Sequence, residues 1–158
     1  MEQPLAILIA VLALTVCLVA LFTSVAALFP VTVEITRRAV DDHPGRSFAL
    51  GLVNVLFLGG VSMALFSVGG PFFRFLGVVV FSAGVIGLTF GLAAVSGLAG
   101  ERIAPHRSGL GRMILGTVVL SLGSATPFVG WFGLIPYVAC IGLGGFVLGL
   151  FRRRPASA

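Results

Sequence analysis

The chain has 158 residues, 58% of them hydrophobic and only 9% charged, with a formal net charge of +5. A soluble domain runs at about 45–50% apolar and about 25% charged, so this composition excludes a water-facing globule and makes lipid the main solvent. All ten basic residues are arginines clustered between apolar runs, which membrane topology explains without a nucleic-acid partner.

The first apolar run, Leu5–Phe29, follows Met1-Glu2-Gln3-Pro4, which has an acid and no base. It is longer than the roughly 7–15 residues of a signal h-region, so a permanent span is expected over about 5–29. Pro30 breaks it. Residues 30–46 then mix Val31, Val33 and Ile35 with Glu34, Arg37, Arg38, Asp41 and Asp42. Glu34 and Arg38 stand at i,i+4 in the favourable order, so a short interfacial helix is expected, closed by His43-Pro44-Gly45.

A second span is expected at about 48–68, ended by the turn signal Gly69-Gly70-Pro71, and a third at about 75–99. The polar loop from Gly100 to Arg112 follows. Beyond it, Pro127 and Pro136 divide the remaining apolar stretch into spans at about 108–125 and 135–151, with an uncharged aromatic turn between them. The former is short for a full crossing, and a re-entrant hairpin is the alternative.

The fold class is therefore an all-α integral membrane domain of about five helices over residues 1–158, N-out and C-in. Five spans put Arg37, Arg38, Arg46, Arg102, Arg107, Arg112, Arg152, Arg153 and Arg154 inside and only Arg74 outside. Four spans would move Arg152–Arg154 outside and weaken that asymmetry. Pro71-Phe72-x-x-Phe75-x-Gly77 also matches Pro127-Phe128-x-x-Trp131-x-Gly133, which would make the two outer hairpins parallel repeats.

Apart from Arg112 at the inner end of the 108–125 span, no acid, base or histidine falls within an expected span, which argues against a proton relay or ion-coupled carrier. Ser62, Ser82, Ser96 and Ser121 lack a nearby base for nucleophilic chemistry. Cys17 and Cys140 form no CxxC pair and are expected to pack between helices. No metal or cofactor is expected; His43 and His106, in the loops, are the only positions for a haem or pigment ligand at the membrane edge.

The glycines are more informative. Gly87 and Gly91, extended by Ala83, form a small-xxx-small face, as do Gly145 and Gly149 in the last span. Gly109, Gly116, Gly123 and Gly130 recur every seven residues. Such faces let helix backbones approach closely, either within one chain or between subunits. Asn54 is expected to hydrogen-bond a neighbouring helix or to line a small wet cavity. Trp131, Tyr137 and Phe72-Phe73-Arg74-Phe75 fit an interfacial belt. Arg37, Arg38 and Arg152–Arg154 are placed to meet lipid headgroups.

The order Phe29-Pro30, Pro44-Gly45-Arg46-Ser47 with Gly51, Gly69-Gly70-Pro71, Pro127-Phe128-Val129-Gly130-Trp131 and Gly142-Leu143-Gly144-Gly145 resembles a prokaryotic polytopic membrane domain. That domain is found C-terminal to bactofilin-like, polymer-forming segments. The resemblance covers about residues 28–151 and implies a first span that follows an outside domain, in accord with an N-out topology. Only four residues precede the first span here, and the family brings no established activity and no catalytic residues.

Together these features point to a non-catalytic subunit of the cell (inner, cytoplasmic) membrane. It would contact lipids and pack through its glycine faces into a larger complex, such as a respiratory or photosynthetic one, or onto itself. The alternative is a small uncoupled carrier or channel for a neutral solute, suggested by the repeat, Asn54 and the proline breaks.

Overall fold

The computed structural model describes residues 2–126 and 128–152. In chain order it contains α1 (Glu2–Leu28), α2 (Pro30–Asp42), α3 (Pro44–Val68), α4 (Pro71–Ile103) and α5 (Gly109–Ala125). A π-helical turn (Val129–Leu134) leads into α6 (Ile135–Arg152). No strand occurs among the described residues.

Proline sets three of the helix starts. Pro30, Pro44 and Pro71 each open a helix, where a missing N–H is no loss and a fixed φ suits the first turn. A residue before proline is driven out of the helical region. Phe29 and His43 accordingly sit at φ −129° and −140°. Gly69 and Gly70, at φ 80° and 121°, make the α3–α4 turn in backbone regions that suit glycine. Pro44-Gly45 thus starts α3 rather than closing α2, and the helix begins four residues before the expected Phe48.

Another proline shapes the far turn. Pro136 lacks an N–H, and its ring crowds the carbonyl four residues back, so the ladder just ahead of it is disturbed. Val129–Leu134 winds as a π-turn there. Phe128 enters it at φ 68°, a strained value for a bulky side chain. Pro127 lies outside the described residues. The two expected repeat motifs therefore differ locally, since Pro71–Gly77 opens a regular α-helix and Val129–Leu134 does not.

Contacts fix the hairpins. Gly77 meets Leu65 and Phe66, and Gly84 meets Leu58, so α3 and α4 run antiparallel. Gly97 meets Met113 and Gly100 meets Arg112, which does the same for α4 and α5. α6 lies against α3, α4 and α2, with its broadest contact on α3. α2 is amphipathic as expected, and it buries Val33, Thr36, Ala39 and Val40 against the bundle. The Ser47 hydroxyl donates to the Ala39 carbonyl at 3.2 Å, which fixes the α2–α3 corner. Phe22, Val33, Ala93, Ala94 and Met113 form a buried cluster joining α1, α2, α4 and α5.

This topology gives the bundle a charged end, carrying Arg37, Arg38, Arg46, Glu101, Arg102, Arg107 and Arg112, and an opposite end carrying Arg74 and Trp131. Four stretches are long and apolar enough to cross a membrane: Leu8–Leu28, Pro44–Val68, Pro71–Ile103 and Val129–Phe151. The protein is thus an all-helical chain compatible with a multi-pass membrane protein. α5, with 17 residues, is shorter.

Candidate functional site

Three features stand out once the helices are placed: the glycine seams, a cluster of ion pairs and an apolar cavity. The seams are closed within this one chain. A Cβ at Gly91 would overlap the backbone of Gly142, and one at Gly87 would crowd Leu143 and Phe146. Gly145 and Gly149 face α2 at Val40, Thr36 and Ile35. Gly116 lies on Ser96 and Gly100, and Gly123 is covered by Leu134. Ala83 stays exposed, so the expected three-residue face is covered only at its two glycines.

The tightest approaches lie elsewhere. A Cβ at Gly51 would overlap the Cys140 carbonyl, one at Gly144 the Ser47 carbonyl, and one at Gly100 the Arg112 carbonyl. A readable pattern underlies them: Ser47-x-x-x-Gly51 on α3 faces Cys140-x-x-x-Gly144 on α6, and Ser96-x-x-x-Gly100 on α4 faces Gly116 on α5. Counting serine and cysteine as small residues would have found these seams. Cys140 is buried there, whereas Cys17 is exposed.

Not every small residue is covered. On α3, a Cβ at Gly59 or Gly60 would meet nothing within 4 Å, and Ala64, one turn beyond Gly60, is exposed as well. The Asn54 amide does not reach another helix. It donates to the Leu50 carbonyl of its own helix at 2.9 Å, because the carbonyl four residues back is the nearest acceptor.

At the charged end, the Glu101 carboxylate takes hydrogen bonds from Arg37 of α2 and from Arg112 of α5, the latter at 3.1 Å. Arg102 bonds Asp41 at 2.8 Å. Arg38 and Arg37 both pair with Glu34 within α2, including the expected i,i+4 pair at 2.9 Å. Partial burial alone would raise the Glu34 carboxyl. Hydrogen bonds and charge from Arg38 and Arg37 outweigh that and hold it below the ordinary carboxylate value. Arg37 is thus engaged by carboxylates, while Arg38 keeps most of its side chain exposed. The Arg152 side chain, Arg153 and Arg154 lie outside the described residues.

The cavity, of about 580 Å³, lies between α1 on one side and α4, α5, the π-turn and α6 on the other. Its lining is almost wholly apolar and contains no charged side chain. Ser96 and Thr117 line one end, and Ser124 and Trp131 the other. Elsewhere, His43 forms the α2–α3 junction and His106 sits exposed in the loop after α4. Tyr137 packs its ring on Phe48 at 5.6 Å. Among the described residues no group of three or more His, Cys, Asp or Glu gathers around a common point.

No protein-family model, no curated protein and no solved structure matches this chain.

Proposed function

We propose that this protein is a non-catalytic, multi-pass subunit of the cytoplasmic membrane, which docks as a finished bundle onto a larger membrane assembly or onto copies of itself. The observation behind it is the contrast among its small residues. Gly87, Gly91, Gly116, Gly145 and Gly149 serve the chain's own helix contacts, while Gly60-x-x-x-Ala64 on α3 stays uncovered. In lipid there is little hydrophobic drive between helices, so an open small-residue face is where a partner backbone gains van der Waals contact and Cα–H···O bonds. The docking surface is therefore assigned to α3 rather than to the seams. The orientation is N-out and C-in with five crossings, because that places the arginine-rich charged end inside.

Mild-detergent extraction followed by native mass spectrometry tests this. Wild-type protein is expected to carry a stoichiometric partner or a second copy. Gly60→Leu should release it while the bundle stays folded, since leucine inserts well but holds helices apart. Recovery of wild type as a lone monomer, or full partner retention by both Gly60→Leu and Ala64→Leu, would overturn the proposal.

A further inference from the structure

The cavity beside α1 has a shape and chemistry of its own. On α5 it runs from Thr117 to Ala125, roughly 12 Å at 1.5 Å per residue, and on α1 from Val11 to Phe22, roughly 16 Å. It is an elongated slot, within the roughly 300–1,000 Å³ usual for small-molecule sites. The cluster around Phe22 and Met113 closes its deep end.

Its walls contain hydroxyl groups, but three of these are turned away. Thr15, Thr117 and Ser124 donate to the carbonyls of Val11, Met113 and Leu120 at 2.8, 2.8 and 2.7 Å. Each is satisfied by its own helix and presents carbon to the slot. Ser96 differs. It is fully buried, it lines the deep end, and its hydroxyl has no hydrogen-bond partner. An unmatched buried donor is costly, so the group that belongs there carries an acceptor. With no charged residue in the lining, that group must be neutral.

We infer that the slot binds a chain-like membrane lipophile whose buried end carries one uncharged oxygen acceptor for Ser96. The slot lies between membrane-spanning helices, so its ligand arrives from the hydrocarbon itself. A free lipophile with a carbonyl and a glycerolipid with an ester share this chemistry.

Trp131 is the sole tryptophan and lines the slot, so it reports occupancy directly. Purified full-length protein in detergent is titrated with two quenching probes, a decyl-substituted benzoquinone and a phosphatidylcholine with dibrominated chains. Saturable quenching of Trp131 by at least one probe is expected, above a linear background from the micelle. Quinone alone saturating identifies a free lipophile, and the brominated lipid alone a glycerolipid.

Ser121→Phe and Ala139→Phe, which fill the slot from different helices, should each abolish saturation. Met63→Phe, on the uncovered side of α3, should not. Ser96→Ala should weaken binding about threefold to tenfold, the loss of one neutral hydrogen bond. Linear quenching with both probes, or saturation that survives both fillers in folded protein, overturns the slot. Unchanged affinity in Ser96→Ala overturns the oxygen acceptor.

Discussion

The seam between α3 and α6 and the contact of α1 with α4 and α5 are both helix packings in an apolar medium, yet they turn out opposite. At the seam, Gly51 and Gly144 bring each backbone onto the carbonyls of the other helix. Beside α1, the helices stand far enough apart to leave a cavity of about 580 Å³. The span of α6 is 44% buried and that of α1 only 6%. Both are strongly apolar, so hydrophobicity does not separate them. Residue size does: the 27 residues of α1 include no glycine, whereas α6 has Gly142, Gly144, Gly145 and Gly149. In lipid, closeness of approach decides which helices bind tightly.

Substitution at the seam should test that contrast most severely. Gly51→Leu or Gly144→Leu is expected to abolish the folded bundle, because the clash is with backbone that cannot move aside. The milder Gly51→Ala should still cost about 3 kcal/mol, at the upper end for overpacking. Gly60→Ala on the same helix should stay within about 0.5 kcal/mol, as at an open surface site. Unfolding in mixed micelles with increasing dodecyl sulfate measures all four. Equal stability of Gly51→Ala and Gly60→Ala would dissolve the distinction between covered and open glycines.

The next effect is electrostatic. Glu101→Gln removes the carboxylate that joins α2 to α5, and because all three side chains are partly exposed the loss should be about 1 kcal/mol or less. It should shrink further at high salt, which the same unfolding assay reads. A loss as large as that at Gly51 would show that the charged end, and not the seam, carries the bundle.

The smallest effect concerns pH. The folded Glu34 carboxyl lies below its ordinary value, so its contribution is complete above the ordinary carboxylate range, about 4.3, and fades as pH falls through the lower folded value. Glu34→Gln should remove that acid-side slope and lower stability at neutral pH by the same small amount, about 0.5 kcal/mol or less for so exposed a pair. An acid slope of equal size in wild type and Glu34→Gln would assign the effect to other carboxylates.

Much of this architecture is legible from residue types alone. The proline positions, the Gly69-Gly70 turn and the amphipathic α2 follow from local chemistry, since each is decided by a few neighbours. The seams are less legible, because a glycine gives no sign of whether its own chain or a partner will cover it. Gly87 and Gly60 look alike in the sequence, and only the placement of α6 separates them. The Glu101 clamp is harder still: its arginines lie 64 and 11 residues away, and nothing local links them. The slot arises from what α1 fails to fill, a property of four helices and the π-turn together that no single segment displays.

The central position of α6 also bears on how the protein is made. A ribosome releases helices in order, so α2, α3 and α4 must wait at the bilayer with Thr36, Gly51 and Gly91 uncovered until α6 emerges. A chain stopped before α6 has the α4–α5 seam at Gly100 and Gly116 but none of the seams that α6 makes with α2, α3 and α4. Such a fragment presents open backbone to any quality-control protease in the membrane, and docking of α6 is what hides it.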